Sequence, residues 1–332
     1  MIKAMARGAN SMKIAVICWW DSRSGYNLAE ALATKYDVTY VNRTDTAWDD
    51  YAGAISDADV VLIKGDLHPK RIDGKLHVYH PLDYELPDMS GHELKGGAKL
   101  ICAPSGGNFR RKIKGYHKAE ANRPLSDYID HCDIIAPMNP DLNYPEINGM
   151  YLPMAFNTGI TYNAWKERDT MKITAYQSTR DAKGATQYLL PAVKTLRNKG
   201  HNIDLVVGRG DGFDPIPYDQ FLEHKKGSTV CFGQMSPMGE YGRHGLEAMA
   251  YGIPLIISHN EQTIKQAYPV EDFGKPCLKA NNLDEIKSLL RRILRGALDM
   301  KDISRQTYEY VERVHSYKSV VAVFDRIMER IT

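Results

Sequence analysis

S-T-V-C-F-G-Q-M-S-P-M-G-E-Y-G-R-H-G-L-E-A-M-A-Y-G-I-P-L-I-I-S-H, residues 228–259, decides the reading of this 332-residue chain. The apolar run at 229–232 reads as a short strand, the glycine-rich stretch after it as a loop, and the small-residue run from Gly242 as a helix. A Gly252-Ile253-Pro254 turn then delivers a second buried strand at 255–258. The opening turn of a helix leaves N–H groups without intrahelical partners and carries the positive end of the helix dipole. Gly242, Arg243, His244 and Gly245 are therefore an expected seat for a diphosphate. Glu247, in the first turns of the same helix, can accept both hydroxyls of a ribose. Taken alone, L-E-A-M-A is also an ordinary amphipathic helix whose glutamate caps its own N-terminus. The whole ordered string carries more than that fragment.

That string, E-Y-G-R-H-G-L-E-A-M-A-Y-G-I-P-L-I at 240–256, resembles the donor-site signature of retaining, GT-B fold glycosyltransferases of family 4. In that signature a Glu-containing glycine loop leads into L-E-A-M-A-x-G-x-P-V-I. Here Glu240 and Glu247 stand one residue closer than the family's pair, and counting back puts the family's first glutamate on Gly239. Either the loop is tighter and Glu240 still reaches the donor sugar, or that contact is lost. The resemblance implies an α/β protein of GT-B architecture: two Rossmann-like, doubly wound domains with an interdomain cleft and a C-terminal crossover helix. The expected domains are 12–160, binding the acceptor, and 161–305, binding the nucleotide sugar, with 306–332 packing back on the first.

Composition permits this architecture and narrows the partners. The length suffices for two α/β cores, and Lys plus Arg (43) nearly balance Asp plus Glu (41), so any basic site is local. Cys18, Cys102, Cys132, Cys231 and Cys277 are scattered without a C-x-x-C pair, which fits reduced thiols in a cytoplasmic protein better than a disulfide frame or a zinc site. No apolar run reaches bilayer-spanning length, so no transmembrane segment is expected, and residues 1–11 read as a leader or alternative start outside the fold.

From the N-terminus, 14–18 reads as a buried strand, followed by a polar loop holding Gly25 and Tyr26, a helix from about residue 28, and a strand near 38–41. In a doubly wound sheet ligands sit at the carboxyl ends of strands, which makes Gly25 a donor-site candidate. The loop lacks G-x-G-x-x-G, against a dinucleotide dehydrogenase. Strands are expected at 59–64, 76–80 and 99–103 of a mainly parallel sheet, and His80 and Asp83 follow one strand end, where a catalytic His80 competes with a structural histidine. Arg110, Arg111, Lys112 and Lys114 cluster among glycines, either as a solvated face or as an anionic-acceptor site. The second domain is expected to open with a strand at 172–176, a helix over 186–199 and a strand at 203–207. One amphipathic helix is expected over 308–331.

The resemblance assigns roles to several of these residues. Arg180 and Lys183, in R-D-A-K-G, would reach the donor diphosphate as two fixed cations standing in for a divalent metal, so no metal and no cofactor beyond the nucleotide sugar is expected. Gly233 and Gln234 would border the base pocket, with Glu240 on the sugar. The acceptor is expected to be anionic: a sugar phosphate, a lipid phosphate or a nucleic acid. A transferase acting on hydroxymethylated bases of DNA would also need a basic groove and base extrusion. A binding module for nucleotide sugars without turnover is the third class. Glu247→Ala is expected to lower donor affinity and spare the fold.

Overall fold

The computed structural model describes residues 3–5, 12–18, 23–42, 48–65, 68–79, 90–104, 131–139, 142–143, 147–159, 162–163, 165–176, 184–208, 215–235, 241–258 and 276–332. The chain divides into two compact units, Met1–Asn157 with His315–Thr332, and Thr158–Val314.

In the first unit β1 (Lys3–Met5), β2 (Lys13–Cys18), α1 (Arg23–Ala33), β3 (Asp37–Asn42), α2 (Trp48–Ser56) and β4 (Val60–Gly65) are followed by β5 (His68–Ile72), β6 (Lys75–Tyr79), β7 (His92–Glu93), β8 (Lys99–Pro104) and β9 (Ile134–Ile135). The sheet runs β1-β3-β2-β4-β8-β9. All its pairings are parallel except β1 on β3. β2 and β4 are near-continuous apolar runs buried along their length, as strands covered on both faces must be.

Three expectations change here. Residues 3–5, read as lying outside the fold, pair antiparallel with β3, supplying partners to the main-chain groups of what would be an open edge. The stretch around Gly25, read as a loop, is helical from Arg23, with Gly25 buried in the opening turn of α1. The strand near 76–80 is not part of the parallel sheet. It is β6 of a separate antiparallel sheet, β5-β6-β7, turned at Asp73-Gly74, whose φ values of 50° and 77° are those of a tight D-G hairpin.

The second unit holds β10 (Met171–Ala175), a single π-helical turn at Ala185–Leu189 leading into α3 (Leu190–Arg197), β11 (Ile203–Val207), α4 (Tyr218–Lys226), β12 (Val230–Phe232), α5 (Gly242–Ala250), β13 (Leu255–Ile257), β14 (Leu278–Lys279), α6 (Leu283–Leu294) and α7 (Met300–His315), whose last residue alone counts with the first unit. Its sheet is parallel throughout, in the order β11-β10-β12-β13-β14. Ile173, Leu189, Val193, Val230, Ile256, Ile286 and Leu290 build one core from sheet and helices. The strand order reverses between β10 and β12. Crevices at the carboxyl ends of such a pair are where open α/β sheets bind ligands.

The single helix expected over 308–331 is two. Ser316 leaves helical geometry (φ −60°, ψ 153°) and accepts the Ser319 N–H, an N-cap that starts α8 (Tyr317–Ile331) after α7 ends at His315. α8 belongs to the first unit and packs on α1 there. Tyr36 meets Phe324 edge-on at 5.6 Å and donates its hydroxyl to Asp325, while Tyr317 donates to Glu30 at 2.7 Å. Among the described residues no helix is long and apolar enough to cross a membrane.

Candidate functional site

The site begins with a helix that the sequence reading did not name. Pro217 ends an extended segment and α4 follows at once, with Asp219 in its first turn and His224, Lys225 and Lys226 in its last, each sign matched to the helix dipole. Phe221 and Lys225 are one turn apart and both buried. A buried lysine needs a counter-charge, and Lys225 Nζ donates to Glu247 Oε2 at 2.5 Å. It also lies 5.3 Å from the centre of the Phe221 ring. Tyr218, one turn before Phe221 and Leu222, donates its hydroxyl to Glu247 Oε1 at 3.0 Å.

Glu247 projects from α5 into this cluster. Arg243, one turn earlier on the same helix, reaches its Oε1 at 2.9 Å. Burial pushes the Glu247 carboxyl up, but the charges of Lys225 and Arg243 and the hydrogen bonds from Lys225 and Tyr218 outweigh it, holding the group below the usual carboxylate range. His244 presents its ring face: it stacks on Phe221 at 5.4 Å between centres and lies 5.8 Å from Tyr176, while its Nε2 is 2.9 Å from Cys231 Sγ. Tyr176, Tyr218, Phe221, Lys225, Arg243, His244 and Glu247 line a cavity of about 200 Å³. Tyr176 follows the carboxyl end of β10, so the cavity opens where the strand order reverses.

The glycines divide by role. Gly242 has φ +51°, and a β-carbon on it would run into the Gln234 side-chain amide. Gly245 is a packing glycine: a β-carbon there would come within 2.7 Å of Leu255 on β13. Its N–H is already donated to Tyr241 O at 3.1 Å, which removes it from the expected diphosphate seat. Gly233 follows β12 and donates to Ile256 O, and a β-carbon on it would be 3.1 Å from that same oxygen. Gln234 and Ser258 lie past the ends of β12 and β13, joined by Ser258 N–H to Gln234 O at 3.0 Å. Gln234 Oε1 and Ser258 Oγ are buried with no hydrogen-bond partner among the described residues. Polar capacity thus collects beside the opening of α5.

The structure brings Arg243, His244 and Glu247 around one cavity and sets Gly233, Gln234 and Gly242 at its edge of the sheet. Gly25 lies in the first unit, inside a helix and not in a loop. Arg180, Lys183, Glu240, His80, Arg110, Arg111, Lys112 and Lys114 lie outside the described residues. Tyr218, Phe221 and Lys225 were missed although their helix carries signals: a proline before it, an acid in its first turn and bases in its last. Among the described residues no cluster of three His, Cys, Asp or Glu side chains could hold a metal ion.

No family model matches the chain, and no curated protein matches it by sequence. Solved structures do match by shape. An α-glucosyltransferase in complex with UDP and a 13-mer DNA containing an HMU base superposes with a TM-score of 0.62 at 12% identity, covering 97% of this chain and 99% of its own. HepE of Anabaena in complex with UDP and glucose gives a TM-score of 0.54 at 7% identity, covering 96% and 98%. The same protein with UDP-glucose gives 0.52 at 9% identity over 96% and 98%. At these identities the likeness concerns the fold, and the fold of this chain is the GT-B fold of glycosyltransferases.

Proposed function

We propose that the protein is a retaining glycosyltransferase of the family 4 type, which takes a sugar from a nucleotide diphosphate held by the second unit. The observation that carries this reading is Glu247, a buried carboxylate kept ionised in a cavity at the strand-order reversal, one turn inside a helix whose first residue, Gly242, lies against the Gln234 side-chain amide. Nucleoside hydroxyls suit the carboxylate, and the diphosphate suits the opening of α5 beside Arg243. In sugar transfer, negative charge grows on the departing diphosphate. Arg180, Lys183 and the α5 N-terminus are assigned to stabilise it without a metal ion, with Glu240 on the sugar and His80 on the acceptor side. Attack then occurs on the face the nucleotide leaves, with no dedicated protein nucleophile. Cys18, Cys102, Cys231 and Cys277 are buried and outside any disulfide, in keeping with a reducing, cytoplasmic setting.

The acceptor is assigned to the first unit, through Arg110, Arg111, Lys112 and Lys114, and is anionic. One observation favours a particular acceptor, hydroxymethylated DNA: the structural neighbour solved in complex with UDP and DNA containing an HMU base aligns over nearly the whole chain with the TM-score of 0.62. The test is hydrolysis and transfer of UDP-, GDP-, ADP- and TDP-sugars in EDTA, without acceptor and then with hydroxymethylated duplex DNA, anionic vesicles or sugar phosphates. Slow donor hydrolysis that an acceptor accelerates is expected. Binding of a nucleotide sugar with no hydrolysis or transfer would instead identify a binding module.

A further inference from the structure

We propose that Lys225 is a positioning residue for the donor, pinning the Glu247 carboxylate from below so that its upper edge is offered to the nucleoside hydroxyls, with Arg243 as the partner that yields. This rests on the donor-site reading above. A carboxylate has about four acceptor sites, two per oxygen. Oε1 accepts from Tyr218 at 3.0 Å and Arg243 at 2.9 Å, and Oε2 accepts from Lys225 at 2.5 Å. With the described residues as its partners, one site remains on Oε2 and none on Oε1, so a vicinal diol that grips both oxygens must displace a partner. The three partners differ in freedom. The Lys225 side chain is 1% exposed, while Tyr218 at 36% and the Arg243 side chain at 35% both border solvent. Of these two only Arg243 carries a charge that an arriving diphosphate draws away from the carboxylate. When Arg243 leaves, its guanidinium stays at the opening of α5, free to meet the diphosphate.

Stability alone accounts poorly for the Lys225 pair. Two charges taken out of water regain little more than their desolvation, and an apolar pair of similar volume is often as stable or more so. What the pair provides is orientation. The Lys225 ammonium is fixed by its stem along α4 and by the Phe221 ring, so Oε2 is fixed with it. Among the described residues the ionisable groups around the carboxylate are Lys225 and Tyr218 from α4, Arg243 and His244 from α5, Tyr251 just past α5, and Tyr176 after β10.

The test is calorimetric binding of UDP, with GDP, ADP and TDP as parallel probes, from about pH 3.5 to 8.5, so that the wild-type acid limb falls inside the window. It compares the wild type, Lys225→Met, Lys225→Arg, Glu247→Gln and the Lys225→Met/Glu247→Gln double variant, each first shown to melt cooperatively. In Lys225→Met the affinity at pH 7.5 should fall about tenfold, and the acid limb of binding should move to higher pH, because the carboxyl protonates more readily without its nearest cation. Lys225→Arg should recover most of both. In the Glu247→Gln background, which keeps His244 but has no carboxyl to titrate, Lys225→Met should change affinity by less than about twofold. Wild-type affinity and acid limb in Lys225→Met would overturn the proposal, as would a full additional loss in the double variant. If Lys225→Met does not fold, Lys225→Gln, which keeps an N–H donor group without the charge, is read by the same outcomes. If the wild type binds none of the four diphosphates, the donor-site reading fails first, and this inference with it.

Discussion

Replacing Glu247 by alanine tests the buried network before any ligand is added. Read from sequence alone, that substitution lowers donor affinity and spares the fold. The structure predicts otherwise. Lys225 is 1% exposed and its ammonium sits 2.5 Å from the carboxylate that would be removed. Breaking a buried ion pair from one side leaves an uncompensated charge, at a cost of about 3–5 kcal/mol. For a unit of this size each kcal/mol lowers the melting temperature by roughly 2–4 °C, so a fall of about 6–20 °C is expected. Adding Lys225→Met removes the stranded charge, and the double variant should recover most of the loss. Urea and thermal melts of the wild type, both single variants and the double variant measure the coupling directly. A loss under about 1 kcal/mol in Glu247→Ala, or no recovery in the double variant, would refute the claim that the pair is desolvated and mutually dependent.

His315 gives a pH signature in the first unit. Burial pushes its pKa down to about 4, against the opposing hydrogen bond with Met154 O. The unfolded chain therefore binds the extra proton first. Stability is fully present above about pH 6.5 and falls as pH drops toward 4, by about 3 kcal/mol at most, and His315→Gln should flatten that slope in urea midpoints taken across the window. Gly245→Ala sets helix propensity, worth about 1 kcal/mol in favour of alanine, against a β-carbon 2.7 Å from Leu255; overpacking at about 1–3 kcal/mol should win, and a raised melting temperature would contradict the packing. Lys183→Ala should lower turnover about a hundredfold with the melt unchanged, while EDTA leaves wild-type turnover intact. Strict dependence on an added divalent metal would remove the fixed-cation argument.

The fold was legible where the chain repeats one physical pattern. Buried strands at 14–18, 60–63 and 255–257 are unbroken apolar runs that only a covered parallel sheet accommodates. Glu247, Arg243 and His244 were legible because the glycines around them at 242, 245 and 252 each have a steric reason to be there. The strand at 75–79 departs from the parallel sheet because the D-G turn at 73–74 folds it back on 68–72, a local signal that outweighs the strand-helix alternation around it. The break at Ser316 hides inside a continuous amphipathic pattern, since one serine suffices to cap a new helix. Lys225 could not be recognised as buried from sequence: beside His224 and Lys226 it reads as a solvated basic run, and its partner lies 22 residues away on another helix.

Hydrogen–deuterium exchange with and without saturating UDP tests the central claim most directly, because it locates the nucleotide as well as detecting it. The account predicts slowed exchange across 218–226 and 241–250, the helices that carry Tyr218, Lys225, Arg243 and Glu247, with a smaller change at the end of β10. Saturable UDP binding that protects other segments and leaves these two helices unchanged would contradict it.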